Sequence, residues 1–226
     1  MFLLRAIKTT VGLKVLMGLT GALMMTWVTV HMLGNLQIFF SYSGINHYGQ
    51  LLRTLPEALW AERFVMLGIV IVHFYSALEL SARNRAARPI DYTEIQFIGA
   101  SFASKTMLVS GLVVGSFIIF HLLHFTGAVF NPEYNTFHDP TTPEWHDVHR
   151  MVVSAFQQWP IALTYLVGVL LAAIHLSHGA QSWFQSLGCS NEAWSPLQER
   201  FAWAISAVLF LGFASVPLAV WSGLLK

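Results

Sequence analysis

Polar positions in this chain are sparse and bunched. Between the bunches, apolar residues run on without the two-residue alternation of a half-buried strand. Five such runs, near residues 11–40, 62–82, 102–129, 159–184 and 198–225, are each rich in Leu, Val, Ala, Phe and Met. Crossing a hydrocarbon core takes roughly 20 residues of helix, and each run is long enough. A helix pairs its own backbone groups in lipid, and the runs are too continuous for the alternating strands of a membrane barrel. The pattern therefore predicts an all-α integral membrane bundle of five helices, a single domain over residues 1–226 with no soluble domain. Arg5 and Lys8 precede the first run as they would in a secretory leader, but the run is too long and no small-residue cleavage site closes it. The longest connection, 130–158, is broken by Pro132, Pro140 and Pro143, and within it 144–156 predicts a short helix lying on the surface. The connection 83–101 is basic and carries Pro89. No internal repeat or low-complexity segment stands out.

Composition agrees with lipid as the solvent. Of 226 residues, 55% are hydrophobic and 10% are Asp, Glu, Lys or Arg, where soluble domains carry about 25% charged residues. Mean hydropathy is +0.59. A net charge of +1 gives no reason to expect nucleic acid as a partner. The basic residues orient the bundle. With the N-terminus inside, Arg5, Lys8, Lys14, Arg83, Arg85, Arg88, Lys105 and Arg200 collect on the inner side, against Arg53, Arg63, Arg150 and Lys226 outside. With so little chain outside the membrane, water-phase chemistry is expected to fall to partner subunits. The single cysteine, Cys189, excludes an internal disulfide, a cysteine-held iron–sulfur cluster, a thiolate zinc site and c-type haem attachment. Ten histidines remain as the supply of ligands.

Ionisable residues inside membrane spans are costly and mark function. The first span holds His31, the second His73, the third His121 and His124, the fourth His175 and His178, and the fifth none. At a rise of 1.5 Å per residue, His31 and His121 lie roughly 30 and 27 Å from the inner ends of their spans. His73 and His175, on spans running the other way, lie roughly 15 Å from theirs. The four histidines thus sort into an outer pair, His31 with His121, and an inner pair, His73 with His175. An imidazole on each face of a porphyrin makes a bis-histidine haem without any cysteine, and two b-type haems at two depths make a path for single electrons. Zinc or copper would want three or four ligands at one point, which two depths do not supply. His124 and His178 follow a ligand candidate at i+3; a propionate, a quinone or a neighbouring helix would each suit them. Gly34, Gly168 and Gly179 lie near the histidines and would either admit a flat macrocycle or serve close helix packing. For propionates, Lys14, Arg83, Arg85 and Lys105 are in reach at the inner level, and Arg53, Arg63 and Arg150 at the outer.

Four segments carry a resemblance: HMLGNLQIF at 31–39, HFYSALEL at 73–80 with NRAARP at 84–89, SKTM at 104–107 followed by FHLLHFT at 120–126, and IHLSHG at 174–179. Together with the histidine-free fifth span, they make the chain similar, over nearly its whole length, to the cytochrome b558-type membrane subunit of succinate dehydrogenase and fumarate reductase. The resemblance implies that His31, His73, His121 and His175 are the axial ligands of two haem b groups, paired first with third span and second with fourth. It further implies a flavoprotein and an iron–sulfur subunit at the cytoplasmic face of a bacterial inner membrane, and exchange of electrons with a quinone, usually menaquinone. A quinone that takes electrons from the outer haem would sit near the outer ends of the first two spans. Gln37, His47, Gln50, Arg53 and Glu57 are the first candidates there, with Trp145, His146 and His149 on the long outer connection. Two other functions fit the same histidines: a dihaem anchor for a different dehydrogenase, and a haem-free transporter or proton channel.

Overall fold

The computed structural model describes residues 8–87 and 102–226; Arg5, Arg88 and Pro89 lie outside them. The described residues are helical throughout, apart from loops and one isolated antiparallel bridge between His138 and His146. Five helices are long and apolar enough to cross a membrane. They are α1 (Thr10–Asn35), α3 (Pro56–Ala86), α4 (Phe102–His121), α6 (Trp159–Ser186) and α7 (Ser195–Trp221). Two ten-residue helices, α2 (Gly44–Arg53) and α5 (Val148–Gln157), lie between them in the chain.

The starts of these helices follow from local chemistry. Thr9 caps α1 by accepting the Gly12 amide at 3.0 Å, and Asp147 caps α5 by accepting that of Arg150 at 2.9 Å, each satisfying an otherwise orphaned donor. Pro56, Pro160 and Pro196 stand in the first turns of α3, α6 and α7, where a missing N–H costs nothing. At its far end α4 widens into a π turn over Leu122–Thr126. Behind that turn Ala128 takes a left-handed backbone with φ 47°, a conformation that disfavours any side chain.

Lipid-facing surface is plain to see. Phe64 is 66% exposed, Leu211 65% and Val109 63%, on helices whose apolar windows have mean hydropathies of 1.8, 2.0 and 2.1. Helices α1, α3, α4 and α6 form a ring. In it α1 packs on α3 and on α6, α6 packs on α4, and α3 meets α4 only lightly. The diagonal pairs, α1 with α4 and α3 with α6, make no broad contact. Helix α7 lies outside the ring against α6 and α1.

The densest core sits at one end, where α2 and α5 close the bundle. Ile38, Ile45, Val152, Val153, Phe156, Tyr165, Val216 and Val220 meet there. Helix α5 starts four residues later than the sequence pattern suggests, and it does not lie on the surface: Met151, Val152, Val153, Ala155 and Phe156 are all buried. This end is called the cap end below, and the other, where α1 begins, the N-terminal end.

Candidate functional site

Four of the six membrane histidines fall at two levels along the ring. At the cap-end level, the His31 and His121 rings face each other across the α1/α4 diagonal, centres 5.9 Å apart and planes 80° apart. An imidazole nitrogen binds a metal at about 2 Å, so two rings gripping one iron from opposite faces have centres roughly 6 Å apart. This pair fits. Trp27, one turn before His31, stacks on its ring at 4.9 Å and 10°, and Phe213 of α7 closes another side at 5.9 Å. Phe117, Phe125 and Tyr165 wall the His121 ring.

The second level is reported by contacts with the neighbouring helix. His73 Nδ1 lies 3.1 Å from Thr20 Oγ1 of α1. His175 Nδ1 lies 3.0 Å from Ser110 Oγ of α4. Each ring also packs over the glycine that follows the hydroxyl: a methyl group at Gly21 would meet His73 Cε1 at 3.4 Å, and one at Gly111 would meet His175 Cε1 at 3.2 Å. Thr20 precedes His31 by eleven positions, and Ser110 precedes His121 by the same eleven. Eleven residues of helix rise about 16 Å, so both contacts give the same separation between levels. His73 and His175 lie on α3 and α6, the helices of the other diagonal.

Donor chemistry at this second level suits metal ligation. Thr20 Oγ1 gives its proton to Leu16 O at 2.7 Å, and Ser110 Oγ gives its own to Met107 O at 3.1 Å. A hydroxyl whose proton goes to that carbonyl accepts from the imidazole, and in that tautomer Nδ1 carries the hydrogen and Nε2 keeps a free lone pair, the form in which histidine binds a metal. Among the described residues no three His, Cys, Asp or Glu side chains gather at one point; the histidines gather in twos.

The two remaining membrane histidines bond elsewhere. His124 is fully buried, with Nδ1 2.9 Å from Tyr165 Oη, and the π turn brings it there. His178 Nε2 lies 2.9 Å from Ser182 Oγ on its own helix. Two of the three glycines suggested as room for a macrocycle are filled by protein: Tyr48 lies over Gly34 and Phe117 over Gly168. Their role is close packing between elements. At Gly179 nothing stands within 4 Å.

The loop candidates divide. His47 packs on Trp145 at 5.4 Å, and the Arg53 charge acts on His146, whose pKa burial lowers first and Arg53 lowers further. These four form a polar rim at the cap end. Gln37 bonds Leu33 O at 3.4 Å, Gln50 is half-buried on α2, and Glu57 is exposed in the first turn of α3. None of these candidates is among the rings packed on His31 or His121. Of the arginines, Arg63 lies over Trp60 at 4.9 Å and Arg150 over Phe137 at 4.3 Å. Arg83 bridges Glu79 at 2.8 Å and reaches Lys8 O at 3.1 Å.

Several residues that the sequence does not single out prove central. Glu62, on a membrane helix, accepts a hydrogen bond from Trp27 Nε1, and so stands one ring away from His31. A buried polar net locks the cap. Asn46 donates to Asp139 at 2.7 Å and to Asp147 at 3.0 Å, and accepts the His149 amide at 2.8 Å. Tyr42 donates to Asp147 at 2.8 Å. Burial, and then this bond to the carboxylate, raise the Tyr42 phenol to about 12, so it stays protonated. His149 is lowered by burial, against the opposing Asp147 charge. The one signal in the sequence for the inner contacts was the spacing: Thr-Gly and Ser-Gly stand at the same distance before His31 and His121, a repeat of three positions too sparse to notice among apolar residues.

In comparison with known proteins, the chain matches no family model, no curated protein and no solved structure.

Proposed function

We propose that this chain is the dihaem cytochrome b anchor of a succinate:quinone oxidoreductase, passing electrons between an iron–sulfur subunit and membrane quinone, menaquinone by the resemblance. The observation that carries the reading is the placing of four histidines, one on each of four membrane helices, at two levels: His31 against His121 at one, and His73 and His175 at the other by their matching contacts with Thr20 and Ser110. Helix packing alone gives no reason for that symmetry, and an ion pathway would place its polar groups in a continuous file rather than in opposed pairs. The motif resemblance adds the partners: a flavoprotein and an iron–sulfur protein at the N-terminal end, taken as the cytoplasmic face of a bacterial inner membrane. Haem b, when bound, supplies a one-electron carrier at each level.

The chain's own residues then have separable tasks. His31 and His121 would hold one group, His73 and His175 the other. Trp27 orients the His31 ring by stacking and Phe213 by a tilted contact; Phe117, Phe125 and Tyr165 orient His121 by tilted and edge contacts. The apolar wall of the bundle keeps water from both levels. Quinone reduction takes up protons as well as electrons, and Glu62 is the carboxylate best placed to deliver them, bonded to the indole that stacks on His31.

The test is haem content. Purified full-length chain, analysed by pyridine haemochrome against protein mass, is expected to hold two protoporphyrin haems per polypeptide, with a reduced-minus-oxidised spectrum of bis-histidine type. A folded, colourless preparation would end this reading and leave the transporter. Co-purification with a flavoprotein that oxidises a substrate other than succinate would keep the two haems and change the partner.

A further inference from the structure

We infer that Thr20 and Ser110 are positioning residues that tune one of the two haem sites, the one held by His73 and His175, and leave the other alone. The inference rests on the dihaem reading above and concerns which neighbours set the character of each ligand. Both hydroxyls reach Nδ1 of a proposed ligand, at 3.1 and 3.0 Å. Both also stand at donating distance from a carbonyl of their own helix, Leu16 O at 2.7 Å and Met107 O at 3.1 Å. With its proton on that carbonyl each oxygen accepts from the imidazole, and a ring whose Nδ1–H is accepted becomes more basic at the nitrogen that binds the metal. A more basic ligand favours the ferric over the ferrous iron.

At the cap end the contacts to the ring nitrogens are longer. The nearest group to His121 Nδ1 is Tyr165 Oη at 3.4 Å, and that hydroxyl stands closer to His124, at 2.9 Å. His31 has the Asn35 amide at 3.4 Å from Nε2, and that amide already donates to His31 O at 2.8 Å. The asymmetry is between levels and not between helices. Thr20 and Ser110 sit on α1 and α4, the two helices that carry the cap-end ligands, yet each acts on a ligand of the other level through its neighbouring helix. A purely structural role, such as the ordinary bonding of Ser or Thr to the carbonyl one turn back, would leave the ligand's chemistry unchanged.

The experiment is a redox titration, followed optically, of the purified full-length protein and of Thr20→Val and Ser110→Ala. Haem per polypeptide is measured on each sample. Both variants are expected to retain two haems and to raise the midpoint potential of one of them, the same one in both variants. A tenfold loss of ferric preference corresponds to about 59 mV for a one-electron couple. Thr20→Ser, which keeps the hydroxyl, is expected to titrate as the parent does. So is Thr26→Val, whose hydroxyl bonds only Ala22 O. Should Thr20→Val disturb haem binding, Ser110→Ala carries the test alone, because it removes one oxygen and adds nothing. Two haems with both potentials unmoved in Ser110→Ala would overturn the tuning role while leaving the dihaem reading intact. Shifts that fall on different haems in the two variants would overturn the pairing of His73 with His175. A parent protein without two haems would fail the parent reading itself, before any variant is made.

Discussion

At the residue scale, the most informative group outside the histidines is Glu62. A carboxylate on a membrane helix is expensive and is kept for a purpose, and this one accepts the Trp27 indole N–H while that indole stacks on His31. Glu57, five positions earlier, is exposed at the start of the same helix and touches neither ring. The two carboxylates therefore separate in a simple comparison. Glu62→Gln is expected to keep both haems and their reduction by the partner subunits, while quinone reduction falls by at least about tenfold, short of the 10²–10⁴-fold typical of a fully lost proton-transfer group. Glu57→Gln is expected to stay near the parent rate. Equal, undiminished activity in both variants would remove Glu62 from the quinone site. Glu57 is visible in the sequence as a loop acid near the second span, whereas Glu62 gains its importance only from Trp27, a residue of a different helix.

At the scale of elements, the cap is the part that hydropathy does not foretell. Helix α2 is too short and too polar to register as an apolar run. Its stability comes from contacts: Ile45 is buried against α5, and Asn46, 1% exposed, ties Asp139 and Asp147 together. Asn46→Ala would remove one hydrogen bond from each of two buried carboxylates and leave the His149 amide without its partner, an unsatisfied buried group costing about 1–3 kcal/mol. The expected result is a lower unfolding temperature in detergent and faster proteolysis within 130–147, with the haems still bound at room temperature. Asp139 adds a pH signature. Burial works to raise its pKa, but hydrogen bonds from Asn46, from the Thr141 side chain and amide and from the Thr142 amide outweigh it, so the carboxyl lies well below its ordinary 3.8. A depressed pKa contributes stability that is complete above that ordinary value and is lost as pH falls through the folded one. Cap loosening, followed by proteolysis or tryptophan fluorescence, is thus expected only in strong acid, and Asp139→Asn should flatten that acid limb. No change in the acid limb would assign it to another carboxylate.

For the whole molecule, the ring of α1, α3, α4 and α6 with loosely joined diagonals is the feature on which the proposed two histidine pairs depend. It makes a direct prediction. His31→Ala and His73→Ala should each remove one haem per polypeptide, and different ones, distinguishable by their potentials in a redox titration. Loss of both haems from either variant, with the bundle still folded by circular dichroism, would contradict two independent levels. The half-repeat relating Thr20, Gly21 and His31 to Ser110, Gly111 and His121 further suggests that α1 with α3 and α4 with α6 act as like units facing each other. Double variants at the two hydroxyls should then be close to additive at a single haem.

Length and hydropathy by themselves determined that there are five membrane-crossing helices and which residues lie in each, because a helix must supply about 20 apolar residues to cross lipid whatever its neighbours are. Relative depth was an expectation the chain could supply, since helical rise is fixed and positions along a span convert directly into height. Which faces meet was not. A helix that is apolar all round gives no moment to say which side is core and which is lipid, so the stacking of Trp27 on His31, the reach of Thr20 and Ser110 to the next helix, and the filling of Gly34 and Gly168 by Tyr48 and Phe117 were decided only by tertiary packing. The cap was decided there too, since its buried net joins residues some ninety to a hundred positions apart, and a hydrogen bond between distant polar residues leaves no period in the sequence.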